Sequence, residues 1–164
     1  MGKILEIIEA HLTQDDWNYT KSKDKDMIIC GVNGKNATFR LYFYVNEETE
    51  YLLITTAIDT RIPEHKRILV AEYIIRANYN LNLGSFELNM ETGEIQYKTS
   101  ISVKNGELSV QMVEHMIDAG VFTSDQYYTG LMAIIFADKT PLDAINEIEG
   151  KKVQVSETVS KRKH

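Results

Sequence analysis

The stretch of residues 63–103 constrains the fold more than any other, because a helical pattern passes directly into a strand pattern. Its first half, PEHKRILVAEYIIRANYNL, begins with Pro63, which suits the first position of a helix. Polar side chains keep only a narrow strip, through His65, Glu72 and Arg76. Two apolar stripes fill the rest, namely Ile68, Ala71 and Ile75, and Val70, Ile74, Ala77 and Leu81. We therefore predict a helix over 64–82 that is buried on several sides.

The second half, SFELNMETGEIQYKTSISV, alternates apolar and polar residues on both sides of one turn. This period of two is typical of a half-buried antiparallel hairpin. A turn centred on residues 92–93 sets the predicted register, in which the opposed pairs are Met90 with Ile95 and Leu88 with Tyr97. A slip by one residue would turn the whole apolar face into water.

The rest of the chain supplies strands before this stretch and helices after it. The predicted elements are a helix over 3–13, strands over 27–32, 37–45 and 51–58, one long kinked helix over 110–136, and a last helix from Thr140. A break of the long helix at Gly120 stays open as an alternative. Asn33-Gly34 predicts a two-residue hairpin turn. The order α-β-β-β-α-β-β-α(-α) predicts an α+β fold with a mainly antiparallel five-stranded sheet, in one domain over residues 1–150.

Length and cysteine content indicate the class of protein. The chain has 164 residues, enough to bury a core without disulfides. No apolar run approaches the ~20 residues of a membrane span, and the first residues lack the pattern of a signal peptide. The single cysteine, Cys30, lies in a strand pattern and is expected to be a small core residue. We therefore expect a cytoplasmic protein that does not contact a membrane.

Charge is distributed unevenly along the chain. Residues 151–164 carry a net charge of +4, which leaves −10 on residues 1–150. An acidic body repels phosphate backbones, so we do not expect nucleic acid as a partner. The basic segment lacks an apolar face and is expected to be a flexible tail. A weak electrostatic contact of this tail is the alternative.

No arrangement of titratable residues predicts catalysis or a cofactor. His115 and Asp118 are one turn apart on a predicted helix, with Glu114 adjacent. A metal site needs at least three converging ligands, and no second pair of this kind follows in the sequence. We therefore expect no metal, no cofactor and no enzymatic activity.

One surface of the predicted sheet carries residues suited to binding another protein. On the second strand, Arg40, Tyr42 and Tyr44 alternate with the apolar set and so share the face that points away from it. Adjacent tyrosines of this kind either pack across the sheet on neighbouring strands or form a partner-binding or dimer surface. These three residues are the candidate partner-binding surface.

Several of these features resemble the bacterial YbjN family of sensory transduction regulators. They are the helix that ends in the spaced asparagines Asn78, Asn80 and Asn82, the Gly84-x-Phe86-x-Leu88 strand entry, the turn glycine Gly93, the Tyr97 strand and the Asp125-x-x-Tyr128 helix. The resemblance covers about residues 5–138. Each of these features is a packing, turn or helix-end position.

The resemblance implies a fold similar to that of type III secretion chaperones, which are commonly dimeric and bind partner polypeptides without chemistry. It implies a non-enzymatic, protein-binding regulator or chaperone-like adaptor that acts as a homodimer. It supplies no catalytic residue. The alternative function is a small-ligand sensor with a pocket between sheet and helices.

Overall fold

The computed structural model describes residues 2–23 and 26–150. The helices are α1 (Lys3–Gln14), α2 (Arg67–Tyr79), α3 (Val110–Phe136) and α4 (residues 141–150). The strands are β1 (Tyr19–Lys21), β2 (Met27–Asn33), β3 (Thr38–Asn46), β4 (Tyr51–Ile58), β5 (Ser85–Leu88) and β6 (Ile95–Ser102). The predicted basic tail, residues 151–164, lies outside the described part of the chain.

All the strands form one antiparallel sheet in the order β1-β2-β3-β4-β6-β5. Within the described part of the chain the sheet has six strands and not the predicted five. The additional strand, β1, pairs Tyr19 with Cys30 and is only three residues long. So short and polar a segment carries no readable period of two, so the sequence pattern could not establish it as a strand of the sheet.

The core lies between one face of this sheet and the helices. Phe39, Leu41 and Phe43 alternate along β3 and are all buried, as the sequence predicts. Helix α3 lies on β4 and β6, and α1 and α2 pack beside it. Helix α4 begins where Thr140 Oγ1 accepts a hydrogen bond from Asp143 N at 3.1 Å. It adds Ile145 and Ile148 to the same core.

The residues around Gly120 form part of a single helix of 27 residues. This confirms one long helix over 110–136 and excludes the break into two. Gly120 serves packing instead of helix termination, because a Cβ added there would lie 2.4 Å from Thr56 Oγ1 on β4. The absence of a side chain thus lets α3 approach the sheet closely.

The β5–β6 hairpin has a different register from the predicted one. Leu88 pairs with Ile95, and β5 ends there, so the predicted pair of Met90 with Ile95 is wrong by two residues. The reason is the side chain of Asn89, whose Oδ1 accepts from the backbone N of Glu91 at 2.9 Å and starts the turn earlier. A shift of two residues keeps the same side chains on the core face, so the alternation could not reveal it.

The Asn33-Gly34 hairpin also turns later than predicted. Strand β2 continues to Asn33, and the turn over residues 34–37 closes with a 2.7 Å bond from Gly34 N to Ala37 O. Asp125 of α3 fixes this turn, because its Oδ1 accepts from Asn36 N at 2.7 Å. A Cβ on Gly34 would lie 2.3 Å from that oxygen. The glycine therefore serves close approach and not a positive φ.

Both ends of α2 differ from the prediction in detail. A 3₁₀ turn, Glu64–Lys66, precedes the helix, so Pro63 lies just outside it. The asparagines at its end do not adopt the left-handed conformation; only Gly84 does, with φ of 78°. Asn78 instead binds the backbone of Phe86 twice, accepting from its N at 2.7 Å and donating to its O at 3.0 Å. This side chain joins α2 to β5.

The buried thiol of Cys30 should be unreactive in the folded protein. It is buried in β2, as predicted, and burial raises the pKa of the thiol to about 12. Because the thiolate is the reactive species, we expect thiol-exchange reagents at mildly alkaline pH to react about 1,000-fold slower than with the unfolded chain. Reaction with an aromatic disulfide, followed by absorbance with and without guanidinium, measures the ratio. Equal rates would contradict the burial of this thiol.

Candidate functional site

The candidate partner-binding residues lie together on the face of the sheet opposite the core. Tyr42 and Tyr44 stack on each other, with ring centroids 6.2 Å apart and planes 15° from parallel. Arg40 Nη1 donates to the Tyr42 hydroxyl at 3.5 Å. Arg40 is exposed, Tyr42 is half-buried and Tyr44 is 40% exposed. We call these three residues the tyrosine face.

The tyrosine face forms one wall of a cleft of about 680 Å³. Thr55 and Ala57 of β4 form its floor, and an ion pair between Arg61 and Glu94, at 3.0 Å, lies at its rim. The hydrogen bond to Tyr42 raises the pKa of Arg40. Burial raises the pKa of Tyr44. At neutral pH the cleft therefore offers a charged guanidinium beside a neutral aromatic surface, a combination suited to polypeptide ligands.

Helix α2 exposes one of the two apolar stripes that the sequence pattern expected to be buried. Its inner stripe, Val70, Tyr73, Ile74 and Ala77, is buried, but Ile68 and Ile75 are 72% and 69% exposed, and Tyr79 is 91% exposed. The expectation of burial on several sides is therefore wrong for the single chain. Periodicity showed which positions are apolar, but not which element covers them. We call Ile68, Ile75 and Tyr79 the α2 stripe.

A groove of about 620 Å³ separates α2 from strand β5, which is an edge of the sheet. Ile74 and Ile75 line the helical side, and Phe86, Leu88 and Met90 line the strand side. The groove continues directly from the α2 stripe, since Ile75 belongs to both.

The titratable residues singled out in the sequence do not come together as a group. His115 is exposed on α3. Its neighbour Glu114 instead faces His11 of α1, with 3.8 Å between Glu114 Oε1 and His11 Nδ1. Asp15, one turn after His11, lies 3.7 Å from the same nitrogen. No sequence pattern points to this group, because its members come from two helices that are distant in the chain.

Within residues 2–23 and 26–150, none of the helices combines the length and apolar character needed to cross a bilayer.

Comparison with known proteins relates this geometry to one family. A profile of the YbjN family, described as "Putative bacterial sensory transduction regulator", matches residues 5–132. A search of the curated proteins gave no significant match.

Solved structures share the fold at low sequence identity. The crystal structure of YbjN from E. coli, described as a putative transcription regulator, matches with a TM-score of 0.58 and 10% identity, over 76% of this chain and 91% of that one. The ExsC–ExsE complex matches with 0.53 and 14%, over 77% and 94%. The HopA1–SchA chaperone–effector complex matches with 0.45 and 18%, over 71% and 85%. The predicted α+β fold, similar to that of type III secretion chaperones, is confirmed.

Proposed function

This chain belongs to the YbjN family, and from that premise we propose that it is a non-enzymatic regulator that acts in the cytoplasm as a homodimer and binds another polypeptide. The observation that carries the proposal is the α2 stripe. Three large apolar side chains in line on one helix are costly to leave in water, and such a surface usually marks a protein interface. The tyrosine face and the groove beside β5 offer room for a partner in addition.

The α2 stripe suits a symmetric contact between two copies of the chain. In a twofold interface the same patch serves both subunits, so the patch must complement itself. Ile68, Ile75 and Tyr79 are apolar and can pack against their own equivalents. Between them, Glu72 and Arg76 form a 2.8 Å ion pair, which places both signs of charge at the centre of the patch. Two antiparallel copies of α2 would bring each charge near its opposite.

A partner polypeptide is proposed for the tyrosine face. Tyrosine contributes contact area at low entropic cost and keeps a polar tip, and arginine is enriched at interfaces. The fold is shared with a protein solved in a two-protein complex, that of ExsC with ExsE. Tyr42 and Tyr44 already stack on each other in the free chain, so little side-chain freedom is lost when a partner covers them.

Substitution of Ile75 by aspartate tests the homodimer. We expect the native protein to sediment as a dimer at micromolar concentration and the Ile75→Asp variant to sediment as a monomer, because the interface would bury an unpaired carboxylate. Phe122→Asp is the matched control: Phe122 is also 69% exposed but lies on α3, and its variant should stay dimeric. A native protein that is monomeric at this concentration would refute the dimer and leave the proposal of a partner polypeptide unchanged.

Capture of partners by tagged protein tests the tyrosine face. We expect one or a few proteins to bind the native chain and to be lost from the Tyr42→Ser/Tyr44→Ser variant. The Phe122→Ser variant changes an exposed aromatic residue on the helical layer and should retain them. Circular dichroism should show the same melting behaviour for both variants. A partner that binds all three proteins equally would remove the tyrosine face from the proposal.

A small-ligand sensor is the second candidate, and the groove between α2 and β5 favours it. Its volume of about 620 Å³ is in the range of small-molecule sites, and it lies between helix α2 and the edge of the sheet. A ligand that binds only the folded state must raise the melting temperature. A thermal-shift screen of metabolites therefore separates the two functions. A saturable rise that is lost in Met90→Asp, which changes an exposed side chain on the strand side of the groove, would favour the sensor.

A further inference from the structure

The group formed by His11, Asp15 and Glu114 lies at the contact between α1 and α3, away from both proposed protein-binding surfaces. His11 and Asp15 are one turn apart on and just after α1, and Glu114 projects from α3. One donor atom from each lies within 4.8 Å of the other two. The three line a cleft of about 260 Å³ together with Asp118 and Trp17.

The distances within the group fit a bound ion better than direct hydrogen bonds. His11 Nδ1 is 3.7 Å from Asp15 Oδ2 and 3.8 Å from Glu114 Oε1. Both separations are too long for a hydrogen bond, which needs about 2.7–3.2 Å. A tetrahedral zinc ion, with bonds of about 2.0–2.2 Å, separates its ligand atoms by about 3.4 Å. Closing the two gaps to His11 Nδ1 by a few tenths of an ångström, and drawing together the two carboxylate oxygens, which lie within 4.8 Å of each other, would complete three of its four bonds.

The burial of His11 and the partial exposure of the two carboxylates also suit a metal site. His11 is 3% exposed, so its ring is held by the packing of α1 on α3 and points its Nδ1 at the cleft. Asp15 and Glu114 have side chains about half exposed, so they can adjust and leave room for water as a further ligand. Asp118, one turn after Glu114, brings a third carboxylate to the rim. Among the residues that the structure describes, none that lines the cleft is a lysine or arginine that would occupy the place of the cation.

The donor set indicates the class of ion. One imidazole nitrogen with two carboxylates suits zinc and its first-row neighbours, whereas magnesium and calcium prefer oxygen donors alone. We propose that His11 Nδ1, Asp15 and Glu114 form a site for a divalent transition metal, preferentially Zn²⁺. The bound ion joins the end of α1 to the start of α3. Water or Asp118 completes the coordination. The site crosslinks two helices of the fold and is independent of the proposed protein-binding function.

Titration of the untagged full-length protein with zinc chloride tests the site. Calorimetry should show one ion bound per chain with micromolar affinity. Asp15→Asn and Glu114→Gln should each weaken binding by about tenfold or more, because each removes a charged ligand. His11→Asn should abolish binding, but this change alters the core. If the His11→Asn variant fails to fold, the two carboxylate variants, which change half-exposed side chains, still test the site. His115→Asn is the matched control and should bind as the native protein does.

The single tryptophan supplies a second readout at the same place. Trp17 lines the cleft, so Co²⁺ bound there should quench its fluorescence, and Zn²⁺ should restore it by displacement. The Asp15→Asn/Glu114→Gln variant should show no quenching at the concentration that saturates the native protein. Zinc binding of equal affinity in the native protein and in this double variant would overturn the proposal, as would the absence of any binding up to submillimolar zinc.

Discussion

Replacement of Gly93 by alanine should lower the free energy of unfolding by about 3 kcal/mol, one of the largest losses expected from so small a change. Gly93 has a φ of 76°, in the left-handed region that costs other residues about 1–2 kcal/mol. Space is also lacking, since an added Cβ would lie 2.3 Å from Ile62 O. Ile62 N donates to Gly93 O at 2.8 Å, so the two backbones must separate and lose this bond. A backbone atom cannot rotate away as a side chain can.

Chemical denaturation of Gly93→Ala beside Gly31→Ala measures this loss. Gly31 lies in β2 with open space around its potential Cβ, and its φ is not positive. Its variant should change the free energy of unfolding by no more than about 0.5 kcal/mol. A Gly93→Ala variant as stable as Gly31→Ala would mean that the turn tolerates a side chain, and the role assigned to Gly93 would be wrong.

The same turn illustrates what the sequence could and could not predict. Alternation places Phe86 and Tyr97 on the core face, and the structure agrees, because period two depends only on local backbone geometry. The register depends on where the turn starts, which the Asn89 side chain decides through hydrogen bonds to its neighbours. A shift of two residues leaves the pattern unchanged. The sequence therefore predicted the face correctly and the pairing wrongly.

Glycines in α3 show the same limit for helices. Gly120 suggested a possible helix end, because glycine is a poor helix former. In the fold, Thr56 of β4 occupies the space that a side chain on Gly120 would need. Whether a glycine ends a helix or admits a neighbour depends on an element far away in the sequence. Such information is not contained in local periodicity or propensity.

The candidate sites also differ in whether local sequence pattern could predict them. The tyrosine face was predicted as a set, since Arg40, Tyr42 and Tyr44 share a face through local alternation alone. The group of His11 and Glu114 was missed, since it forms only when α1 packs on α3. Ile68 and Ile75 of the α2 stripe were recognised as apolar but assigned to the core. The exposure of the α2 stripe is the strongest argument for a second copy of the chain. Its side chains are of the type usually buried, and the single chain leaves them in water.

Replacement of Gly130 by alanine should lower the free energy of unfolding by about 2–3 kcal/mol, roughly 1 kcal/mol less than the clash alone because alanine favours the helix. A Cβ there would lie 2.3 Å from the hydroxyl of Tyr73 and 2.9 Å from Cζ of the same ring. Tyr73 is 1% exposed and donates to Tyr127 O at 2.7 Å. The rigid ring has no room to move, so α2 and α3 must separate or the hydrogen bond must break.

A double-mutant cycle with Tyr73→Phe isolates this contact. The single change Tyr73→Phe loses one hydrogen bond and should cost about 1 kcal/mol. In the double variant with Gly130→Ala, the oxygen that the new methyl group meets is gone. The double variant should therefore lose at least about 1 kcal/mol less stability than the sum of the two single losses. Gly150→Ala, in a helix with open space at its Cβ, is the control and should not lose stability. Strict additivity in urea denaturation would show that the Gly130 methyl group and the Tyr73 hydroxyl do not meet, and that the α2–α3 contact is less close than the geometry indicates.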